Sequence, residues 1–266
     1  MLDDIEAREA LHVLLLKRLV EQVGLEGFAL KGGVNLRLFF GSLRYSEDMD
    51  LDLESEAKLK VTGQLSRALK DPWLETRLRA LGLQGVDYSG RPHKNTDTTV
   101  RFKLHVVTGA GIRLPTKVEL SLRGPAQTDV ATKEPADARV VGRYLPSHEG
   151  SLVVAHYPLL AAVRQKIAAL ALRTVPEARD VFDIHVLARG GEATIDPSLL
   201  ARGLTQSVLE AALRRVWELQ FPEFRDHVLE YLPQDVREAM HTEADWDTRR
   251  LFVVDLVERV RRHATG

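Results

Sequence analysis

The fold is decided by residues 31–53, KGGVNLRLFFGSLRYSEDMDLDL. An apolar run at residues 28–30 leads into Gly32 and Gly33, and an apolar pattern of helical spacing follows at residues 34–40. Beyond Ser46 the sequence alternates between aspartate and apolar residues. Glycines end regular elements, and alternation is typical of a strand. The segment is therefore predicted to form a strand, a glycine turn, a helix and a second strand.

Three aspartates of the second strand are expected to share one face. Successive side chains of a strand point to opposite sides, so Asp48, Asp50 and Asp52 lie together, opposite the apolar Met49 and Leu51. Neighbouring carboxylates repel one another, and a bound cation relieves this repulsion. Mg²⁺ favours one or two carboxylates combined with substrate phosphates. The strand therefore predicts a divalent metal site of the kind that serves phosphoryl transfer.

The glycine turn before the helix predicts an anion site. Glycine lets a ligand approach the backbone closely, and the N-terminus of the following helix offers free N–H groups to a phosphate. Taken alone, Gly32 and Gly33 are typical of an ordinary turn, and an alternating acidic strand is typical of a solvated sheet face. Their order and short separation favour a combined site for a nucleotide and a metal ion.

Two later segments, residues 100–106 and 117–123, also alternate between apolar and polar or charged side chains. The short connector Thr-Gly-Ala-Gly at residues 108–111 predicts that they form a hairpin. This arrangement places Glu119 on the polar face of its strand. That strand is expected to lie beside the strand of the aspartates.

The order Gly-Gly, short helix and Arg44-x-Ser46-x-Asp48-x-Asp50 resembles the AbiEii/AbiGii toxin family of nucleotidyltransferases, which includes the MenT toxins. This family is part of the DNA polymerase β-like nucleotidyltransferase superfamily. The resemblance implies an α+β fold, in which a nucleotidyltransferase-type mixed β-sheet flanked by helices is followed by an α-helical C-terminal domain.

The resemblance also implies roles for the residues of this motif. Asp48 and Asp50 would hold Mg²⁺, or Mn²⁺ in its place. Glu119 stands where the superfamily usually carries a third carboxylate ligand, and the alternative is a plain solvent-facing glutamate. Arg44 would neutralise phosphate charge. The remaining motif residues are expected at the triphosphate of the NTP substrate: Gly32, Gly33 and Ser46.

A second motif lies in the C-terminal half of the chain. A helix with an apolar stripe carries Lys166 and Arg173, and the next helix carries Asp180 and Asp183 three residues apart. The arrangement resembles the later motif of the same toxin family, which implies that Lys166 contacts the nucleotide phosphates and that Asp180 belongs to the active site. Such an aspartate would orient the lysine or accept a proton from the nucleophile. Spacing alone favours the alternative, a solvated Lys166 and aspartates paired with arginines.

Composition limits the remaining possibilities. The chain has 266 residues, of which 44% are hydrophobic and 28% charged, as in globular proteins with a sizeable core. A net charge of −1 excludes a global basic field, so any contact with nucleic acid must come from local patches. The absence of cysteine excludes disulfides and thiolate chemistry, and the nine histidines show no metal-binding spacing. An acidic N-terminus and the lack of a long apolar run predict a cytoplasmic protein without a membrane partner.

Two domains are expected. Residues 1–156 are predicted to form the nucleotidyltransferase domain, and residues 157–266 a helical domain that contributes Lys166 and Asp180 to the active site. Residues 91–97 and 124–138 are rich in polar residues and proline and are predicted to be loops. Residues 140–154 are predicted to hold one or two short strands.

The expected function is that of a toxin in a toxin–antitoxin or phage-defence pair. The resemblance implies transfer of NMP from an NTP to an acceptor hydroxyl, with the tRNA 3′ end as acceptor, release of pyrophosphate, and a separately encoded antitoxin as partner. One alternative is an enzyme that adenylates antibiotics or AMPylates proteins. Another is a degenerate module that only binds nucleotide and a partner, although the intact aspartate pair argues against it.

Overall fold

The computed structural model describes residues 2–122, 129–190 and 195–264. They are organised in two compact units. The N-terminal unit comprises Met1–Phe39, Tyr45–Pro125 and Ala131–Tyr157. The C-terminal unit comprises Phe40–Arg44, Ala126–Val130 and Pro158–Gly266.

Within the described residues, eight strands of the N-terminal unit form one mixed sheet. The strands are β1 (Ala29–Lys31), β2 (Asp48–Asp52), β3 (Leu83–Tyr88), β4 (Lys94–Asn95), β5 (Thr99–Thr108), β6 (Arg113–Ser121), β7 (Thr132–Pro135) and β8 (Val153–His156). Their order across the sheet is β3-β5-β6-β2-β1-β8-β7, and β4 pairs with β5.

The centre of the sheet contains the predicted strands. β2 pairs antiparallel with β1 and parallel with β6, and β5 and β6 form an antiparallel hairpin. The predicted hairpin is therefore confirmed. So is the predicted order of strand, glycine turn, helix and strand, because β1, a helix that begins at Gly32 and β2 follow one another along the chain.

In the described part of this unit, five helices contribute buried residues to one apolar core with the strands. They are α1 (Asp4–Val23), α2 (Gly32–Phe39), α3 (Lys58–Ala68), α4 (Pro72–Ala80) and α5 (Ala138–Val141), with short 3₁₀ turns at Ser55–Ala57 and Ser147–Glu149. The long helix α1 begins at a capping box between Asp3 and Glu6 and ends at Gly24. Its leucines form one buried core with the apolar residues of β5 and β6.

Three segments differ from the sequence prediction. The predicted loop at residues 91–97 contains β4, and the predicted loop at 124–138 contains β7, although residues 124–128 lie outside the described part. Residues 140–154 begin in α5 and reach a strand, β8, only at Val153. Strands of two to four residues are too short for a recognisable alternation, so their pairing depends on partners that are distant in the sequence.

The C-terminal unit is helical, as predicted, and the fold class is therefore confirmed. Its helices are α6 (Leu159–Leu172), α7 (Ala178–Gly190), α8 (Pro197–Leu200), α9 (Gln206–Glu218), α10 (Phe221–His227), α11 (Gln234–Ala239) and α12 (Glu243–Arg261), with a 3₁₀ turn at Leu229–Tyr231. Trp246 is fully buried and stacks on Phe224 at a ring distance of 4.7 Å. In the described chain, no helix combines the length and the apolar character needed to cross a membrane.

Candidate active site

The aspartate strand β2 lies beside β6 in the sheet. The two strands are parallel, with Asp50 opposite Glu119 and Asp48 opposite Lys117. Residues that face each other on neighbouring strands point to the same side of the sheet. Asp48, Asp50 and Glu119 therefore share one face, and the expected position of Glu119 beside the aspartate strand is confirmed.

Cations of the protein already accompany the carboxylates on this face. Nζ of Lys117 lies 2.7 Å from Oδ2 of Asp48. Nε of Arg101, on the next strand, donates a hydrogen bond of 2.7 Å to Oε2 of Glu119. These pairs reduce the repulsion between the neighbouring carboxylates and hold them near the surface of the sheet.

Asp52, the third aspartate of the series, is part of the interior. Its carboxylate is buried, accepts a hydrogen bond of 2.9 Å from the hydroxyl of Tyr157, and forms an ion pair with Lys31. A buried carboxylate is stable only with such partners. Asp52 therefore stabilises the sheet, and Asp48 and Asp50 are the aspartates of the strand that stay partly exposed.

The pair formed by Asp48 and Asp50 fits a Mg²⁺ site. Mg²⁺ takes oxygen ligands and commonly uses one or two carboxylates, with water and substrate phosphates at its other positions. Within the described ranges, no group of three or more histidine, cysteine, aspartate or glutamate side chains is arranged to hold a metal ion. The role of Glu119 as a third ligand stays a prediction.

Gly32 brings the start of α2 against the carboxylate of Asp50. Its φ angle is +68°, which residues with a side chain rarely adopt. A Cβ atom at this position would lie 2.6 Å from Oδ2 of Asp50. Both the backbone and the neighbouring carboxylate therefore require glycine here, and Gly33 follows it, buried in the first turn of α2. The predicted anion site and the predicted metal ligand are thus adjacent in the N-terminal unit.

Ser46 lies just before the aspartate strand, which begins at Asp48. Its Oγ donates a hydrogen bond of 2.8 Å to the main-chain carbonyl of Asp48. The hydroxyl therefore closes the turn that leads into β2. Its predicted contact with the triphosphate stays a prediction.

A buried polar chain, which the sequence analysis did not identify, anchors the same turn. The hydroxyl of Thr116 donates a hydrogen bond of 2.6 Å to the carbonyl of Glu47 and lies 2.8 Å from Nε2 of His12. Because the hydroxyl proton is directed to the carbonyl, Nε2 of His12 is the donor to Thr116. Burial, together with nearby Arg8, lowers the pKa of His12 to about 3, so the ring is neutral. The sequence does carry a signal for this chain: His12 and Thr116 are polar residues at positions where the patterns of α1 and β6 call for an apolar residue.

The residues of the second motif form a buried ion cluster in the C-terminal unit. Nζ of Lys166 lies 3.0 Å from Oδ1 of Asp180 and 2.7 Å from Oδ2 of Asp183. Arg44 donates to both carboxylate oxygens of Asp183, at 3.0 and 2.8 Å. Arg173 donates to Oδ2 of Asp180 at 2.8 Å. Both aspartates are fully buried, whereas 11% of the Lys166 side chain is exposed.

The electrostatics of this cluster favour the charged forms of Lys166 and Asp183. Burial alone would lower the pKa of Lys166, but attraction by Asp183 and Asp180 raises it above its ordinary value. Burial alone would raise the pKa of Asp183, but Arg44 and Lys166 lower it to about 2. Cations and carboxylates therefore compensate one another, and removal of one member takes away part of the compensation of a buried charge.

The cluster combines features of both interpretations of the second motif. Asp180 and Asp183 do pair with arginines, as the alternative expected. Lys166, however, is buried between the two aspartates instead of being solvated. Arg44 uses its guanidinium for Asp183, and its contact with a nucleotide phosphate stays a prediction.

A mixed sheet that presents paired aspartates beside a glycine turn suits the binding of a nucleotide together with a metal ion. The pattern of one protein family, described as the nucleotidyl transferase AbiEii toxin of a type IV toxin–antitoxin system, matches residues 14–259. The chain therefore belongs to the AbiEii family and is a nucleotidyltransferase of the toxin–antitoxin type.

Solved structures show the same fold. A Helicobacter pylori protein described provisionally as a nucleotidyltransferase has a TM-score of 0.61 and 20% identity, over 98% of this chain and 96% of that chain. JHP933 from Helicobacter pylori has a TM-score of 0.57 and 19% identity, over 97% and 95%. The nucleotidyltransferase toxin MenT4 from Mycobacterium tuberculosis has a TM-score of 0.58 and 18% identity, over 98% and 94%. No curated protein sequence matches the chain.

Proposed function

We propose that this protein transfers NMP from an NTP to the 3′-terminal hydroxyl of tRNA in a reaction that depends on Mg²⁺. The observation that best supports this proposal is the contact between Gly32 and the carboxylate of Asp50. It joins a helix N-terminus, which suits phosphate, to an aspartate that suits a metal ion. Membership of the AbiEii family adds NTP as substrate and an antitoxin as partner.

Asp48 and Asp50 would hold the metal ion, Mg²⁺ or Mn²⁺, with Glu119 as a proposed third ligand. Bound there, the ion would neutralise charge on the triphosphate during the transfer. Lys117 and Arg101 pair with Asp48 and Glu119 and partly balance the charge of these carboxylates.

The protein groups proposed for the triphosphate are of two kinds. Gly32 and Gly33 offer backbone N–H groups, and Ser46 offers a hydroxyl. Arg44 and Lys166 are proposed to neutralise phosphate charge. In the proposed transfer, the acceptor hydroxyl gives up its proton to water and its oxygen forms a bond to the α-phosphorus. The bond from the α-phosphorus to the oxygen bridging it to the β-phosphate breaks, and pyrophosphate leaves.

The proposed role of Asp180 is to orient Lys166 and not to accept a proton. Its carboxylate is fully buried and already accepts hydrogen bonds from Lys166 and Arg173. Each of its two oxygens thus already accepts a hydrogen bond from a cation, which suits the orienting role.

We assign residues 1–156 to the nucleotidyltransferase domain, and residues 157–266 to a helical domain that supplies Lys166 and Asp180 for the reaction. A cytoplasmic location and a separately encoded antitoxin complete the proposal.

Incubation of the protein with each of four α-labelled NTPs and purified tRNA tests the proposal. Label is expected to appear in tRNA and to disappear after removal of the terminal nucleotide. An Asp48→Ala variant is the control for contaminating transferases. If label appears in added protein or in an aminoglycoside and none appears in tRNA, the acceptor is that molecule and not tRNA. Absence of pyrophosphate release with every acceptor would point to a module that only binds nucleotide.

A further inference from the structure

The face of the sheet that carries Asp48 and Asp50 continues into a row of cations on β4, β5 and β6. Lys94 lies directly opposite Arg101, and Lys103 lies directly opposite Lys117. We call these four residues the basic strip. Lys94 and Lys103 are exposed, while Val100, Phe102, Leu104 and Val106 on the other face of β5 are buried.

The basic strip is costly for the sheet itself. Like charges that face each other on neighbouring strands are destabilising. Arg101 and Lys117 are compensated by Glu119 and Asp48, but Lys94 and Lys103 make no ion pair with any residue of the described ranges. Arg113, another exposed cation of this sheet, differs from these two lysines in that it forms an ion pair, with Asp87. Folding alone therefore does not account for the strip.

The strip is continuous with the candidate active site through the strand register. One row across the sheet runs Asp50, Glu119, Arg101 and Lys94, and the neighbouring row runs Asp48, Lys117 and Lys103. Strands are about 4.8 Å apart, so three strand separations place Lys94 roughly 14 Å from Asp50. A polyanion that lies on the strip would therefore end at the aspartates.

We propose that the basic strip binds the phosphate backbone of the acceptor nucleic acid and directs its hydroxyl end to Asp48 and Asp50. The inference rests on the proposed function, in which the acceptor is an RNA. Cations on β5 recur every second residue, roughly 7 Å apart, which suits a ligand with regularly repeated negative charge. Protein interfaces have an apolar and aromatic centre. The large exposed apolar side chains of the described chain lie elsewhere than between these cations.

Binding of fluorescein-labelled bulk tRNA, followed by anisotropy across a series of KCl concentrations without NTP, tests the strip. The double variant Lys94→Gln/Lys103→Gln removes the two unpaired cations. Each lost phosphate contact lowers the slope of log K against log [KCl] by about 0.7–0.9, so a decrease of about 1.5 is expected. The matched control, Arg67→Gln/Lys70→Gln, removes the same charge from exposed positions at the end of α3.

The proposal is overturned if both double variants change the slope equally, because binding would then depend on the net charge of the protein and not on the position of the cations. It is also overturned if the strip variant binds tRNA normally but no longer binds labelled poly-glutamate, since the strip would then serve an acidic protein. Thermal unfolding controls for the fold: the strip variant is expected to melt no lower than the wild type, because both repulsive cross-strand pairs have been removed.

The same experiment separates failure of the strip from failure of the proposed function, because binding is measured without turnover. Wild-type protein that binds tRNA through the strip but transfers no NMP to it would overturn the function and keep the strip. Transfer to tRNA by the wild type, combined with unchanged binding by the strip variant, would overturn the strip and keep the function.

Discussion

Gly32 and Asp50 are so close that an added Cβ atom on Gly32 would lie 2.6 Å from the Asp50 carboxylate. The contact predicts that Gly32→Ala displaces Asp50 or the start of α2 and abolishes transfer. Gly41 is the matched control, since it has a similar φ of +65° but nothing within 4 Å of an added Cβ. Both variants are expected to lose about 1–2 kcal/mol of stability from backbone strain in urea unfolding. Equal transfer activity in the two variants would contradict the role given to the contact.

The pairing of Asp48 with a half-exposed lysine leads to a second prediction. Asp48→Ala or Asp50→Ala is expected to abolish transfer and toxicity and to change the free energy of unfolding by less than about 1 kcal/mol. Lys117, the partner of Asp48, keeps 37% of its side chain exposed and stays hydrated after the change. Transfer assays and urea unfolding check both parts. Asp87→Ala, at an exposed ion pair on the same sheet, is the control and should retain activity. Growth inhibition by either active-site variant would disprove the metal assignment.

The buried position of Lys166 leads to a third prediction, which concerns stability as well as rate. Sequence alone predicts that Lys166→Ala loses activity through the phosphates and keeps its packing. Because Lys166 pairs with two fully buried aspartates, the variant is also expected to lose stability. The loss should stay below the roughly 3–5 kcal/mol of an unpaired buried charge, since Asp180 keeps Arg173 and Asp183 keeps Arg44. The double variant Lys166→Met/Asp180→Asn removes one charge of each sign, leaves Arg44 paired with Asp183 and Arg173 paired with Glu177, and is expected to recover part of that loss. Calorimetry with transfer assays at a temperature where each variant is folded separates the two effects. A stable but inactive Lys166→Ala would show that the cluster is not needed for folding.

The strands with strong alternation could be predicted from the sequence, whereas the partners of the site residues could not. In β2, β5 and β6, apolar and polar residues alternate with a period of two, which is visible in the sequence. Arg44 and Asp183 are 139 residues apart, and nothing local to Arg44 indicates that its guanidinium is committed to a buried carboxylate. The choice among many acidic partners depends on tertiary packing, which local patterns do not encode.

His12 provides a prediction about pH. Burial lowers its pKa from 6.5 to about 3, so the unfolded chain binds a proton that the folded protein does not bind. Its contribution is therefore neutral above pH 6.5 and becomes increasingly destabilising as the pH falls towards 3. Between pH 6.5 and 5 the wild type is expected to lose about 2 kcal/mol that His12→Gln does not lose. Urea unfolding at both pH values measures the difference, and His93→Gln, at an exposed histidine, is the control. Parallel pH profiles for wild type and His12→Gln would contradict a neutral buried ring.

Ser46 sits where an added negative charge would be most disruptive. Its hydroxyl donates to the carbonyl of Asp48, so Ser46→Ala loses one hydrogen bond, worth about 1 kcal/mol, and is expected to retain measurable transfer. Ser46→Asp, or a phosphate on Ser46, places an acceptor-only anion against that carbonyl and beside the proposed metal ligands, and is expected to abolish transfer.

Ser46→Asn is the matched control, because it has the size of aspartate without its charge and should keep more activity than Ser46→Asp. Transfer assays on the three variants measure how strongly a negative charge at position 46 reduces activity. Mass spectrometry of the protein co-expressed with its neighbouring gene product shows whether Ser46 is phosphorylated. Full activity in Ser46→Asp would rule out control by charge at this position, because a carboxylate there would then coexist with bound triphosphate. Loss of activity in Ser46→Asn and Ser46→Asp alike would instead assign the effect to the lost turn.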